Sequence, residues 1–141
     1  MVDADLVSAK LAELAERVAR VKRHRKDGVD ALAADADALD LVSFNLMLAV
    51  QVCADVASHI IADEGWPAAG SLADAFHRLG EQGVIRDETA ETMKRAVGLR
   101  NVVAHGYGRV DTAMVHSACH GGVADLDAFA REVARWVAAR G

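Results

Sequence analysis

The sequence predicts an all-α protein, an up-and-down bundle of five or six helices, and three observations carry that prediction. Apolar residues recur at helical spacing, and no segment of useful length alternates with the period of two that a strand requires. Hydrophobic residues make up 52% of the 141, with a single proline, which favours a compact chain over a disordered one. Aromatic residues are only 4%, so close packing of alanine-rich helices must supply much of the core. The length suits one domain, residues 1–141.

The first half of the chain predicts two long helices. Residues 3–26 place leucine and valine at helical spacing, and Asp27-Gly28 predicts the stop. Residues 29–37 are ambiguous between a short helix and a lead-in to the next one. Residues 37–64 predict a helix about 40 Å long, at roughly 1.5 Å per residue. Its middle is apolar almost all round, which is typical of a helix buried by neighbours on several sides.

The second half predicts shorter helices separated by capping residues and glycines. Gly121-Gly122 is expected to kink or interrupt the last of them before an amphipathic tail, residues 126–139. The other expected boundaries are Gly65-Trp66-Pro67 as the end of the long helix, Ser71 with Asp74 as the cap of a helix to Leu79 closed by Gly80, Asp87 as the cap of a fourth helix, and Asp111 as the cap of a helix through Ala118.

Charge and composition limit the classes of function. The formal net charge of −5 counts against a surface coated for phosphate binding. Basic residues are unevenly distributed, however, so a local basic groove is compatible with an acidic chain. Residues 17–26 hold 6 of the 16 basic residues, and we interpret them as a solvated helix end that complements the helix dipole.

The sequence also bears on cellular location and on the chemistry of the cysteines. The longest run of apolar residues, Leu46 to Val50, is five residues, so we expect no membrane span. Asp3 and Asp5 are the wrong opening for a secretory signal, which favours a cytoplasmic protein. Cys53 and Cys119 lie far apart on predicted helices and fit neither a disulfide framework nor a zinc spacing.

The polar residues with the most chemical potential stand together at positions 100–107, Arg-Asn-Val-Val-Ala-His-Gly-Tyr. This stretch falls over the last turns of the predicted fourth helix. Each residue of an ideal helix advances by about 100°, so Asn101 and His105 share a face while Arg100 lies roughly 140° from His105. One face of one helix cannot aim Arg100 and His105 at the same atom. Either the helix breaks near the glycines that flank Tyr107, or a second copy of the chain completes the site.

This Arg-x-x-x-x-His-x-Tyr pattern resembles the signature of HEPN domains, specifically the HepT-like toxins. Residues 93–99 before the arginine and residues 51–63 upstream fit as well. The likeness is close from about Leu39 to Asp111 and architectural outside that span. The resemblance implies a HEPN-like bundle and a metal-independent endoribonuclease whose site forms across a homodimer. Its products would carry a 2′,3′-cyclic phosphate and a 5′-hydroxyl.

The residue types themselves suit RNA cleavage, because RNA carries its own nucleophile, the 2′-hydroxyl. His105 is the natural general base. Arg100 offers paired donors where negative charge builds on the phosphoryl oxygens. We expect these two as the catalytic pair. Asn101, one turn before His105, can hold the imidazole or a phosphate oxygen, and Tyr107 supports the site. No metal ion or other cofactor is called for.

A plainer interpretation stands beside the catalytic one. Arg100 could pair with a carboxylate, while His105 ends a helix and is stabilised by the helix dipole without any function. The rival from another functional class is a non-catalytic helical module that binds and regulates a partner nucleotidyltransferase. The acidic net charge and Gly106 favour the rival, and the intact set of arginine, asparagine, histidine and tyrosine favours the enzyme.

Tyr107 carries a second expectation. The resemblance implies an MNT-type nucleotidyltransferase antitoxin as partner, which can attach AMP to the tyrosine of the motif. A nucleotide beside Arg100 would block the groove and offset its charge. This chain has Gly106 where family members commonly carry a larger, often acidic, residue, and glycine loosens the backbone there. The alternative is an ordinary half-buried tyrosine with its hydroxyl in water.

A stripe of four polar residues interrupts the apolar long helix at intervals of four, namely Gln51, Asp55, His59 and Asp63. We expect first that the stripe is hydrogen-bonded at a seam between helices or subunits, because buried polar groups need partners. A place facing the site across the groove ranks second. Metal binding by Asp55 and His59 ranks last, since no full ligand set is evident. The remaining histidines show no shared constellation: His24, His77, His116 and His120.

Overall fold

The computed structural model describes residues 2–105 and 111–140. Every regular element in that part of the chain is helical, as predicted. The elements are α1 (Ala4–His24), α2 (Val29–Ala33), α3 (Ala36–Asp63), α4 (Leu72–Glu81), α5 (Asp87–His105), α6 (Thr112–Ser117), a π-helical turn (Ala118–Gly122) and α7 (Val123–Arg140). The last three run on without a break. Counted as one helix, they give six helices in the described ranges, and the predicted all-α bundle is confirmed.

The long helix α3 is the centre of the bundle and contacts each of the other helical segments. Along α1 the two helices run antiparallel: Lys10 pairs with Asp55, and Arg17 donates to Asn45. By length and composition α3 could cross a membrane, yet most of its apolar stretch is buried inside the bundle. An all-round apolar helix is therefore explained here by neighbours on nearly every side.

Side-chain caps define most helix starts, as the sequence indicated. Asp3, Asp35, Ser71 and Asp111 each accept a backbone N–H from the first turn that follows. An accepted N–H satisfies one of the four donors that an α-helix start leaves without an intrahelical partner. The predictions for Ser71 and Asp111 are thereby confirmed, and both hold because the capping interaction spans only three residues.

The start of α5 differs from prediction. Asp87 is the first residue of the helix rather than its cap. The capping carboxylate comes instead from Glu132 on α7, which accepts from the backbone N–H of Arg86 and from the hydroxyl of Thr89, both at 2.7 Å. A cap supplied from 46 residues away is a tertiary contact, and no local pattern announces it.

The end of α4 also differs from prediction, because Gly80 lies inside the helix rather than closing it. The chain turns at Gly83, whose φ of +75° lies in the left-handed region that favours glycine. Gly80 has a different use. A Cβ built there would meet the Cβ of Ala90 on α5 at 3.0 Å, so the missing side chain allows α4 and α5 to pack closely.

The π-helical turn answers the question left open at Gly121-Gly122, since the helix widens there but continues. Three hydrogen bonds hold this region against the turn after α1. Arg25 donates to the carbonyl of Cys119, while the imidazoles of His116 and His120 bond to the carbonyls of Asp27 and Lys26. The expectation that these histidines share no constellation was wrong: their rings lie 4.8 Å apart, centroid to centroid.

Both cysteines are free and buried, in agreement with the prediction that they form no disulfide. Burial raises the pKa of the Cys53 thiol well above its usual range and that of Cys119 to about 11. The arginine side chain of Arg25 lowers the pKa of Cys119 by a smaller amount. Both residues therefore act as small core side chains rather than as reactive thiols.

Phe76 on α4 and Phe129 on α7 meet edge to face in the core, with ring centroids 5.6 Å apart, and neither is exposed. Replacing Phe76 by alanine removes this contact and leaves a cavity. We expect Phe76→Ala to lower the free energy of unfolding by about 3–5 kcal/mol in urea titrations. The matched control is Leu6→Ala, at a side chain 40% exposed, which should cost less than about 1 kcal/mol. Equal effects would contradict this account of the core.

Candidate functional site

Arg100 and His105 both lie on α5, which continues unbroken from Asp87 to His105. The helix therefore does not end between them, and their side chains remain roughly 140° apart around its axis. The alternative that the helix ends between Arg100 and His105 is therefore wrong. The break expected at the glycines that flank Tyr107 lies outside the described residues. The prediction for Tyr107, together with Gly106, lies outside the described residues.

The guanidinium of Arg100 is held by two neutral amides. Its Nη2 donates to Oε1 of Gln51 on α3, and its Nη1 donates to Oδ1 of the adjacent Asn101, each at 3.0 Å. No carboxylate of a described residue pairs with it, contrary to the plainer interpretation. Because amides accept a hydrogen bond without cancelling charge, the half-buried guanidinium keeps its positive charge and further N–H donors.

Gln51 is in turn held by Asp55, one helical turn along α3. Nε2 of Gln51 donates to Oδ1 of Asp55 at 3.2 Å. The other carboxylate oxygen of Asp55 lies 3.7 Å from Nζ of Lys10 on α1, and Lys10 also approaches Glu13 at 3.7 Å. A chain of polar contacts thus runs from α1 across α3 to Arg100 on α5.

These contacts divide the polar stripe of α3 between two of the expected roles. Gln51 faces the Arg100 site, which was the second-ranked expectation. Asp55 lies at the seam between α1 and α3, the first-ranked one, and His59 approaches Asp63 at 3.0 Å. Among the described residues, no group of three or more histidine, cysteine or carboxylate side chains is placed to hold a metal ion.

His105 is exposed and ends α5. Within the described ranges its imidazole makes no hydrogen bond. Asn101, expected one turn before it as a possible partner, uses its side-chain oxygen to accept from Arg100 instead. The imidazole is therefore accessible to a ligand from solvent, and Asn101 acts on the arginine.

An apolar strip on α3 continues outward from Gln51. Phe44 is 52% exposed, and Leu48 between them is half-buried. The spacings of four and three residues place Phe44, Leu48 and Gln51 on one face of the helix. A large exposed aromatic side chain next to a site is characteristic of a surface that contacts another protein.

A separate cavity of about 280 Å³ lies between α3, α5 and the last helix, mostly lined by apolar side chains. Arg100, Asn101 and His105 are not among its lining residues. Burial raises the pKa of Asp125 in its wall, and the charge of Arg95 acts in the opposite direction. The candidate site is thus an open surface of α5 and α3, not this cavity.

Comparison with known sequences identifies the family. The sequence profile described as "Ribonuclease HepT-like" matches residues 13–133, and the chain belongs to this family of ribonucleases. A curated relative, the mRNA nuclease HepT of Shewanella oneidensis, is 26% identical over 125 residues, which are 89% of this chain and 93% of that protein. A putative RNase of Archaeoglobus fulgidus is 34% identical over 79 residues, 54% of this chain and 57% of the relative.

Solved structures show the same bundle. The tri-AMPylated HEPN toxin of Shewanella oneidensis in complex with an MNT antitoxin superposes with a TM-score of 0.84 at 25% identity, covering 94% of this chain and 98% of that one. A toxin–antitoxin complex with AMP-PNP gives 0.85 at 24% identity over 92% and 97%. The cytosolic protein YutE of Bacillus subtilis gives 0.85 at 13% identity, over 99% and 93%, and shares the fold alone.

The sequence indicated Arg100 and Asn101 as members of one site, and the structure places them in contact. The sequence did not indicate that Gln51 forms a hydrogen bond with Arg100, because the two residues are 49 positions apart. The available signal was the period-four polar stripe on an otherwise apolar helix. That pattern required a partner for Gln51 but could not identify which one.

Proposed function

We propose that this chain is a metal-independent endoribonuclease and the toxin of a toxin–antitoxin pair. The state of Arg100 carries the proposal: an uncompensated guanidinium with free donors, positioned on a surface of an acidic chain. Such a group binds a phosphodiester and offsets the charge that builds on its oxygens during cleavage. Family membership supplies the reaction class.

In the proposed reaction, the 2′-hydroxyl of the RNA attacks the adjacent phosphorus. His105 removes the hydroxyl proton as general base, and the bond to the 5′-oxygen of the next nucleotide breaks. The leaving oxygen takes up a proton. The products are a 2′,3′-cyclic phosphate and a 5′-hydroxyl end. Asn101 and Tyr107 support the bound substrate, and no metal ion takes part.

The site needs a second copy of the chain. Arg100 and His105 point in directions about 140° apart on a continuous helix, so one protomer cannot direct both at one phosphate. A two-fold homodimer would bring groups from both copies of α5 into one cleft. We assign the exposed strip around Phe44 to this interface, because it adjoins Gln51 and therefore Arg100 on one surface.

Purified protein should cleave RNA in the presence of EDTA and leave 2′,3′-cyclic phosphate ends. His105→Ala and Arg100→Ala should each lower kcat/KM by at least about a hundredfold, since each removes a group that acts in the transition state. Gel analysis of labelled RNA measures the cleavage rate, and mass spectrometry of the products identifies their end groups. Cleavage by His105→Ala at the wild-type rate would refute the mechanism. A wild-type chain with no activity would favour the non-catalytic regulatory module instead.

The homodimer is tested at Phe44. A charge placed in an apolar interface costs desolvation energy, so Phe44→Glu should shift the protein from dimer to monomer in sedimentation velocity. Leu6→Glu is the matched control, because Leu6 is also an exposed apolar residue but belongs to α1. It should leave the dimer intact. A wild-type monomer at all concentrations, or a Phe44→Glu dimer, would contradict the assigned interface.

We further propose an MNT-type nucleotidyltransferase as cognate antitoxin, acting in the cytoplasm on Tyr107. The phenol oxygen would attack the α-phosphorus of ATP, forming a tyrosine–AMP ester and releasing pyrophosphate and the phenol proton. Support comes from the tri-AMPylated HEPN toxin of Shewanella oneidensis, which is 25% identical to this chain. An added nucleotide near Arg100 would compete with RNA by charge and bulk.

Co-incubation with the proposed MNT-type nucleotidyltransferase partner, ATP and Mg²⁺ should add one or more AMP residues in intact-mass measurements. The modified protein should lose RNA cleavage, because the nucleotide occupies the substrate groove. Tyr107→Phe should keep its mass, and the treatment should leave its rate of RNA cleavage at the value measured for the same variant before treatment. Full modification of Tyr107→Phe would show that another residue accepts the AMP and would contradict the proposal.

A further inference from the structure

The contact between Gln51 and Arg100 supports an inference about a residue outside the Arg-x-x-x-x-His-x-Tyr motif. Arg100 is a long side chain with several rotatable bonds, so binding a phosphate in one geometry requires something to hold its guanidinium. Gln51 supplies an acceptor 3.0 Å from Nη2. It comes from α3, the most enclosed helix of the bundle, and thus from a rigid support.

The orientation of the Gln51 amide is determined by its two neighbours. Arg100 can only donate hydrogen bonds, and an ionised Asp55 can only accept them. The amide oxygen must therefore face Arg100 and the amide nitrogen must face Asp55, as the distances of 3.0 Å and 3.2 Å describe. If Asp55 lost its acceptor, the amide could turn and present N–H groups to the guanidinium.

The amide also has an electrostatic consequence. A glutamate at position 51 could hold Arg100 in the same place, but it would form an ion pair and offset the charge that an anion needs. Gln51 holds the guanidinium without doing so. The carboxylate of Asp55 contacts Gln51 rather than Arg100. It also approaches the ammonium group of Lys10 at 3.7 Å.

We propose that Gln51 is a positioning residue for Arg100: its amide, oriented by Asp55, fixes the guanidinium for a phosphodiester while leaving its charge free. This rests on the proposed ribonuclease function for its role in catalysis. The contact itself does not depend on that function, so the two can be tested separately.

The first measurement needs no enzymatic activity. In ¹⁵N-labelled protein, the Nη–H signals of Arg100, assigned by their loss in Arg100→Lys, should be sharp because hydrogen bonding slows guanidinium rotation. Gln51→Leu and Asp55→Leu should broaden them, and Asp55→Asn, which keeps an acceptor for the amide, should largely preserve them. Unchanged signals in Gln51→Leu would overturn the proposal whatever the protein does to RNA.

The second measurement separates position from charge. With 2′-O-methyl RNA, which lacks the nucleophile, Gln51→Glu should reduce the slope of log K against log salt by about 0.7, the value for one lost contact to a single strand. Gln51→Leu should leave that slope unchanged. An unchanged slope in Gln51→Glu would show that the charge of Arg100 is not used for binding and would overturn the electrostatic part of the proposal.

The third measurement is cleavage of ordinary RNA. Gln51→Leu should lower kcat by at least about tenfold with a smaller change in KM. The reason is that the substitution removes the hydrogen bond that orients the charged guanidinium of Arg100. Asp55→Leu should act in the same direction, and Asp55→Asn should recover most of the loss. Gln82→Leu, the same substitution at an exposed glutamine after α4, is the matched control and should retain the wild-type kcat.

The outcomes distinguish the two hypotheses. A wild-type protein without cleavage defeats the ribonuclease proposal, while the signals of Arg100 still test the role of Gln51. Cleavage by the wild type together with a normal kcat for Gln51→Leu defeats the positioning role and leaves the ribonuclease proposal intact.

Discussion

The hydrogen bond between Arg100 on α5 and Gln51 on α3 is the constraint on which the candidate site depends. It joins the helix that carries the motif to the helix that forms the centre of the core. Its chemistry matters as much as its geometry, since an amide acceptor restrains a guanidinium and leaves the positive charge available. On a chain with a net charge of −5, the guanidinium of Arg100, which pairs with no carboxylate of the described residues, is a local positive group that can attract phosphate.

The central position of α3 explains how one helix can serve both core and site. Val50 and Val52 on either side of Gln51 are buried, so the backbone at this point cannot shift without disturbing the core. The same burial leaves a narrow outward strip, on which Phe44 and Gln51 are separated by two turns. The packing of α3 therefore both fixes its backbone and determines which of its residues face outward.

The geometry of α5 makes the case for assembly. Its start is secured by Glu132 of α7, and the helix continues through His105, so the angle between Arg100 and His105 cannot be relieved within the described chain. Among the described residues, Gln51 and Asn101 both accept hydrogen bonds from Arg100. An imidazole that acts on the same phosphate must approach from a different direction, and the proposed homodimer would supply it from the second copy.

The sequence by itself determined the helical class, most helix boundaries and the placement of Arg100 and His105 on one helix, because these depend on periodicity and on caps such as Ser71 and Asp111 that act over three residues. The tertiary structure alone decided the partner of Gln51, the cap of α5 by Glu132, the interior use of Gly80 and the pairing of His116 with His120. The first three join different helices, and the last depends on backbone carbonyls contributed by the turn after α1. A local pattern can show that a polar group requires a partner, but only the packing of distant segments selects which partner it meets.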